Sequence, residues 1–110
     1  MTTDLKHSPG ALAGLKVVEL GQLIAGPFAA KTLADFGADV IKVEAPPGID
    51  PNEGMSGDRH GYDMLNLHRN KRSLTLNLKK AEGLTLLRKL VKTADVVVEN
   101  FRPDVKHRLG

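Results

Sequence analysis

Two features of this chain could handle a phosphorylated ligand: a short loop with paired glycines, and a run of cations. Gly21 and Gly26 are separated by four residues in Gly21-Gln22-Leu23-Ile24-Ala25-Gly26-Pro27, just after the apolar run from Lys16 to Leu20. In α/β proteins such ligands bind there, at the carboxyl end of a strand and the start of a helix. The spacing is that of a P-loop, but Pro27 and Phe28 replace the Lys and Ser/Thr that reach a γ-phosphate and hold Mg²⁺. A nucleotide triphosphatase is therefore disfavoured. No G-x-G-x-x-G follows the first apolar run. Glu44 ends the second, where an acid would hold a ribose hydroxyl, but a surface carboxylate explains it equally well, so NAD is poorly supported. The cations Arg69, Lys71, Arg72, Lys79 and Lys80 fall within twelve residues that contain no Asp or Glu. Their field suits an anionic ligand, and a solvated basic loop is the competing account.

Other chemistries find less support. His7, His60, His68 and His107 are scattered, without a second ligand at helical spacing, so no metal site is expected. There is no G-x-S-x-G nucleophile elbow. With one Tyr and three Phe, stacking platforms for nucleic acid are scarce, and a nucleic-acid module is a distant third reading. The absence of cysteine removes thiolate chemistry and fits a reducing cytoplasm. No apolar run approaches the roughly 20 residues of a membrane span. The 110 residues carry a net charge of +3 and 41% apolar side chains, ordinary values for one small domain.

The elements that must position these residues follow from periodicity. Residues 1–13 read as a flexible leader and 14–110 as the folded part. Lys16 to Leu20 is a strand buried on both faces. Pro27 is expected at the first helical position, with Phe28, Leu33 and Phe36 on the buried stripe and Gly37 at the left-handed stop. Asp39 to Glu44 is the second strand, and the short crossover makes the pair parallel. Residues 45–61 hold three prolines and four glycines and read as a long ordered loop or lid. One or two helical turns follow at 62–68. Leu74, Leu76 and Leu78 alternate with polar residues in a third strand, 73–78, that suits a sheet edge. A helix over 80–93 buries Leu84, Leu87, Leu90 and Val91, with Leu86 beside them. A fourth strand covers 95–99, and Pro103 opens a third helix. The order β-α-β-β-α-β-α gives an α/β fold with a Rossmann-like parallel sheet.

Several pieces, in this order, carry a resemblance to a known family. They are Leu15-Lys16-Val17-Val18-Glu19-Leu20; Ala25-Gly26-Pro27; residues 33–44, LADFGADVIKVE; Asn70-Lys71-Arg72-Ser73-Leu74-Thr75-Leu76-Asn77-Leu78-Lys79; and Ala94-Asp95-Val96-Val97-Val98-Glu99-Asn100-Phe101-Arg102-Pro103. The chain resembles the N-terminal part of the family III CoA-transferases, the group of formyl-CoA transferase, carnitine CoA-transferase and α-methylacyl-CoA racemase. The resemblance implies that Gln22, Ile24 and Ala25 lie against the thioester end of CoA. It implies that Leu76, Asn77, Leu78 and Lys79, with Asn100 and Phe101, contact the adenosine part, and that Arg108 meets a phosphate. Arg72 is a further candidate, with loop architecture as its alternative role. Many relatives carry an Arg directly after the strand-ending Glu, whereas this chain has Ala45.

The same resemblance implies CoA or acyl-CoA as substrate, a carboxylic acid acceptor, no metal, no redox cofactor and an interlocked homodimer. It places the catalytic Asp, which forms an aspartyl intermediate, beyond Gly110. No catalytic residue is then expected in this segment, and Asp35, Asp50, Asp58 and Asp63 are not candidates. The alternatives are a non-catalytic CoA- or nucleotide-binding module and the racemase branch of the family.

Overall fold

A computed structural model describes residues 10–22, 24–49 and 61–105 of the chain. The elements are β1 (Lys16–Glu19), α1 (Ala25–Asp35), β2 (Asp39–Glu44), α2 (Tyr62–Leu67), β3 (Lys71–Thr75), α3 (Ala81–Lys92) and β4 (Val96–Val98). The strands form one sheet in the order β3-β2-β1-β4, and every pairing is parallel. This is the expected α/β layout, with the topological switch between β1 and β4. At such a point the chain diverges to opposite sides and leaves a crevice beyond the carboxyl ends of the strands.

Alternation along β1 sends Val17 and Val18 to opposite faces of the sheet. On one face Val17 and Val40 pack with Ala30, Ala34 and Ala38. On the other, Val18, Leu20 and Val43 pack with Leu76 and Leu87. Helix α1 covers the first face with small residues: Gly26, Pro27, Ala30, Lys31 and Ala34 are its buried positions. The expected aromatic stripe therefore does not form the core. Phe28 and Phe36 are more than half exposed, because the face that α1 turns to the sheet is the one that carries Gly26, Ala30 and Ala34.

Other boundaries moved for local reasons. Helix α1 begins at Ala25, so Pro27 is its third residue; its missing N–H is still among the first four that have no intrahelical acceptor. Strand β3 starts at Lys71 and ends at Thr75. It is an edge strand as expected, but the leucine alternation misplaced its end. Leu76 still donates its N–H to the Glu44 carbonyl at 2.9 Å, and the chain then turns, with the Asn77 side chain accepting from Lys79 N at 3.0 Å. In α3 only Gly83 and Leu87 are fully buried, and Leu86 is half exposed. Strand β4 is shorter than the expected 95–99. Residues 103–105 are helical after Arg102.

Gly37 adopts φ +105°, the left-handed conformation expected at the helix end. Residues 10–13 belong with the folded part: Leu12 donates its N–H to the Phe36 carbonyl at 2.9 Å and packs on the α1 core. Residues 1–9, and most of the expected lid at 50–60, lie outside the described residues.

Candidate functional site: the carboxyl end of the sheet

The loop after β1 is shaped by contacts to its neighbours. A Cβ built on Gly21 would lie 2.7 Å from the Gly26 Cα, and a Cβ on Gly26 equally close to the Gly21 Cα. The two glycines are therefore required because the loop folds back onto the start of α1. A phosphate cradle is not needed to explain them. Asn100, just past β4, fastens the same loop. Its Oδ1 accepts the Gln22 N–H at 2.8 Å and its Nδ2 donates to the Gln22 carbonyl at 2.8 Å. One amide side chain thus satisfies both the N–H and the C=O of a single residue across the switch point, each bond worth about 0.5–1.5 kcal/mol.

The loop after β3 joins from the other side. Leu76 is buried, and Leu78 and Phe101 pack against the cluster that contains Leu76 and Leu20. Phe101 N–H is held by the Glu99 carboxylate at 2.9 Å. Asn77 turns the chain into α3, whose Gly83 passes so near that a Cβ would lie 2.0 Å from the Asn77 carbonyl oxygen. Lys79 is exposed, and so are Ile24 and Ala25 on the β1 loop. Gln22, Ile24, Ala25, Leu76, Asn77, Leu78, Lys79, Asn100 and Phe101 thus all lie on loops that leave the carboxyl ends of β1, β3 and β4. Arg108 lies outside the described residues.

Arg72 is placed elsewhere. It is the second residue of β3, and its Nε and Nη2 donate to the two oxygens of Asp39 at 3.1 and 2.7 Å. Asp39 is the first residue of β2, so this pair lies at the amino end of the sheet, away from the site loops. Its neighbours behave alike. Arg69 makes two hydrogen bonds to Asp35 at 3.3 and 2.8 Å, and Asn70 donates to the same carboxylate at 2.9 Å. Asn70 adopts φ +63° to make that turn. The Arg69 hydrogen bond lowers the Asp35 pKa below its ordinary value, and Asp35 in turn raises that of Arg69.

Lys71 points into the molecule. Its ammonium lies 2.7 Å from a carboxylate oxygen of Glu19, the most buried charged residue described, and donates to the Pro27 carbonyl at 3.0 Å. Lys42, opposite Glu19 in the β1–β2 register, adds its own ammonium 3.6 Å from that carboxylate and donates to the Gly21 carbonyl. Desolvation lowers the Lys71 pKa, against the raising pull of Glu19. Reading β1 as an apolar strand missed this cluster. The available signal was an acid and a base at cross-strand positions of two otherwise apolar strands.

The cations at 69, 71 and 72 therefore each face an acid from the first half of the chain. The expectation that the whole 69–80 run meets an anionic ligand is corrected accordingly: only Lys79 and Lys80 of that run, with Arg102, are exposed near the site loops without an acid beside them in the described contacts.

The pattern of CoA-transferase family III matches residues 12–110. The chain belongs to CoA-transferase family III. It is 44% identical to a succinate–glutarate CoA-transferase of Agrobacterium fabrum over 98% of its own length and 29% of that protein's. It is 46% identical to human α-methylacyl-CoA racemase over 90% of its length and 23% of that protein's. Among solved structures, a CAIB/BAIF family protein from Brucella suis superposes with a TM-score of 0.74 at 42% identity, covering 93% of this chain and 29% of that one. The chain thus spans less than a third of the curated relatives it matches. Within this family III segment, Asp35, Asp39 and Asp95 are all engaged structurally: Asp35 with Arg69, Asp39 with Arg72, and Asp95 accepting the Lys16 N–H at 2.8 Å. Among the described residues no three His, Cys, Asp or Glu side chains group as a metal site. No described helix is long and apolar enough to cross a membrane.

Proposed function

We infer that this segment binds the CoA moiety of an acyl-CoA and forms the CoA-binding part of an enzyme that moves CoA between carboxylic acids. The observation that carries this reading is the convergence of the loops after β1, β3 and β4 at one end of a parallel sheet. There Asn100 holds the backbone of Gln22, Leu76 and Phe101 pack in one apolar cluster, and Lys79 is exposed on the loop after β3. CoA has a 3′-phosphate and a pyrophosphate to meet cations, an adenine to meet apolar side chains, and a narrow pantetheine arm. Lys79, Lys80 and Arg102, with Arg108, supply the positive charge. Gln22, Ile24 and Ala25 face the thioester end.

In this reading an aspartate outside the segment attacks the acyl carbon, and the C–S bond breaks to release CoA thiolate and leave a mixed anhydride. The thiolate then attacks the aspartyl carbonyl, expelling the donor carboxylate to give an aspartyl-CoA thioester. A nucleophile must be held against the thioester with donors for the developing oxyanion. The roles of Asp35, Asp39 and Asp95 in holding the fold support leaving all three out of that chemistry. The exposed Ile24, Phe28, Tyr62 and Leu65 support a covered surface in the assembled enzyme, consistent with an interlocked homodimer.

Calorimetric titration with CoA tests the proposal. Micromolar binding that weakens in Lys79→Ala and with added salt is expected, and a folded chain that does not bind CoA overturns it. Acyl transfer by this chain alone would overturn the placement of the nucleophile elsewhere. The 46% identity to a racemase favours one second reading, in which the parent protein epimerises an acyl-CoA. It uses the same CoA contacts and separates from transfer by whether the full-length protein exchanges the α-proton of a bound 2-methylacyl-CoA.

A further inference from the structure

The buried charges under α1 have a geometry that sheet stability does not require. Glu19, Lys42 and Lys71 come from three adjacent strands and meet on the α1 face of the sheet. The two ammonium groups do more than neutralise Glu19, since each also donates to a backbone carbonyl. Lys42 reaches Gly21, early in the loop that follows β1, and Lys71 reaches Pro27, in the first turn of α1. Between them Asn100 holds Gln22. Three side chains from β2, β3 and the β4 end thus hold the carbonyl of Gly21, the backbone of Gln22 and the carbonyl of Pro27, on either side of the passage from β1 into α1.

We propose that Lys42 and Lys71, made tolerable in the interior by Glu19, are positioning residues that fix the start of the loop after β1, at Gly21, and the first turn of α1, at Pro27, at the thioester end of the site. A buried ammonium is costly unless paired and hydrogen-bonded. Here one carboxylate supports two ammonium groups, and Glu44, on the same face of β2, adds a second negative charge towards Lys71. His68 Nδ1 lies 3.5 Å from the Lys71 ammonium. An apolar set of the same volume could fill this space, but it could not hold two carbonyl groups. The central lysine of Asn70-Lys71-Arg72 thereby gains a role separate from its neighbours, which bind the exposed carboxylates Asp35 and Asp39.

The proposal rests on the CoA-binding reading only for what the loop faces; the loop's conformation can be measured without ligand. Amide hydrogen exchange of the 110-residue chain is compared with Lys71→Met, Lys42→Met and the double variant Glu19→Gln/Lys71→Met, which conserves the cluster's net charge. Exchange at Gln22 and Phe28 should accelerate at least tenfold, while the β1 and β2 amides of Val18 and Val40 change less than twofold. Equal acceleration throughout, unchanged loop amides in folded variants, or a double variant that does not fold would each overturn the proposal, because the cluster would then serve the sheet alone. Where the wild-type chain binds CoA, Lys71→Met should weaken CoA at least fivefold and leave adenosine 3′,5′-bisphosphate within twofold; equal loss of both overturns the assignment to the thioester end. A wild-type chain that binds neither ligand counts against the CoA reading, and the exchange data still decide the loop.

Discussion

Two cationic stretches lie within twelve residues of each other and do opposite work. Arg69, Lys71 and Arg72 reach back to Asp35, Glu19 and Asp39, one acid each from α1, β1 and β2. Lys79 and Lys80 stand exposed where β3 gives way to α3. The first group docks the edge strand onto the β-α-β unit, and the second is what the proposed function assigns to the phosphates of CoA. Strand β3 separates them, because a parallel strand carries its first residues to the amino end of the sheet and delivers the following loop to the carboxyl end. Local charge density is therefore a poor guide to ligand contact when a strand runs through it.

The comparison can be broken most severely at Glu19. Glu19→Gln leaves two buried ammonium groups without their carboxylate, and a loss of about 3–5 kcal/mol is expected from urea unfolding, as for other broken buried pairs. A loss under about 1 kcal/mol would mean that the cluster is solvated.

Next in size is Gly83→Ala. Within an exposed helix interior this change would stabilise by roughly 0.5–1 kcal/mol. Here the new Cβ meets the Asn77 carbonyl oxygen, so a net destabilisation of about 1–3 kcal/mol is expected, as for overpacked sites, together with weaker CoA binding as the Leu76–Lys79 turn shifts. Asn100→Ala removes the pair of hydrogen bonds to Gln22 and should cost about 1–3 kcal/mol. Thermal unfolding measures that loss.

Arg72 and Lys79 sharpen the contrast directly. Arg72 is about two-thirds exposed and Asp39 nearly half, so breaking that pair should cost no more than about 1 kcal/mol. Lys79→Ala should leave the unfolding midpoint unchanged while it weakens CoA binding and flattens its salt dependence, read by calorimetry at two ionic strengths. The reverse pattern, with Arg72 governing affinity and Lys79 stability, would invert the roles assigned here. The smallest effect concerns Asp35. Its carboxyl is held below the ordinary value chiefly by Arg69, so the native state binds fewer protons than the unfolded one in the carboxylate range. The resulting stabilisation is complete above the unfolded pKa and is lost as pH falls through the folded one. Arg69→Ala should flatten the acid limb of the stability–pH curve.

Much of the scaffold was legible from the sequence. Val17-Val18 and Val40-Ile41 could only be buried strands, Gly37 marked the end of α1, and the short crossover required a parallel pair. The chemistry-bearing pieces were also readable in order, and the loops that carry Gln22, Leu76 and Asn100 do meet at one end of the sheet. The errors fell where a side chain's surroundings come from distant residues. Phe28 and Phe36 carry the periodicity of a core stripe, yet α1 turns its face of Ala30 and Ala34 to the sheet and leaves both rings exposed. Glu19 and Lys42 interrupted two apolar strands without indicating that they face each other, or that Lys71 would join them from nearly thirty residues beyond β2. Composition and periodicity determine which segments become strands and helices, because these depend on neighbours a few residues away. Which charges neutralise one another, and which are left for a ligand, is decided only by the register of β1, β2 and β3, which brings residues 19, 42 and 71 together and leaves residue 79 outside.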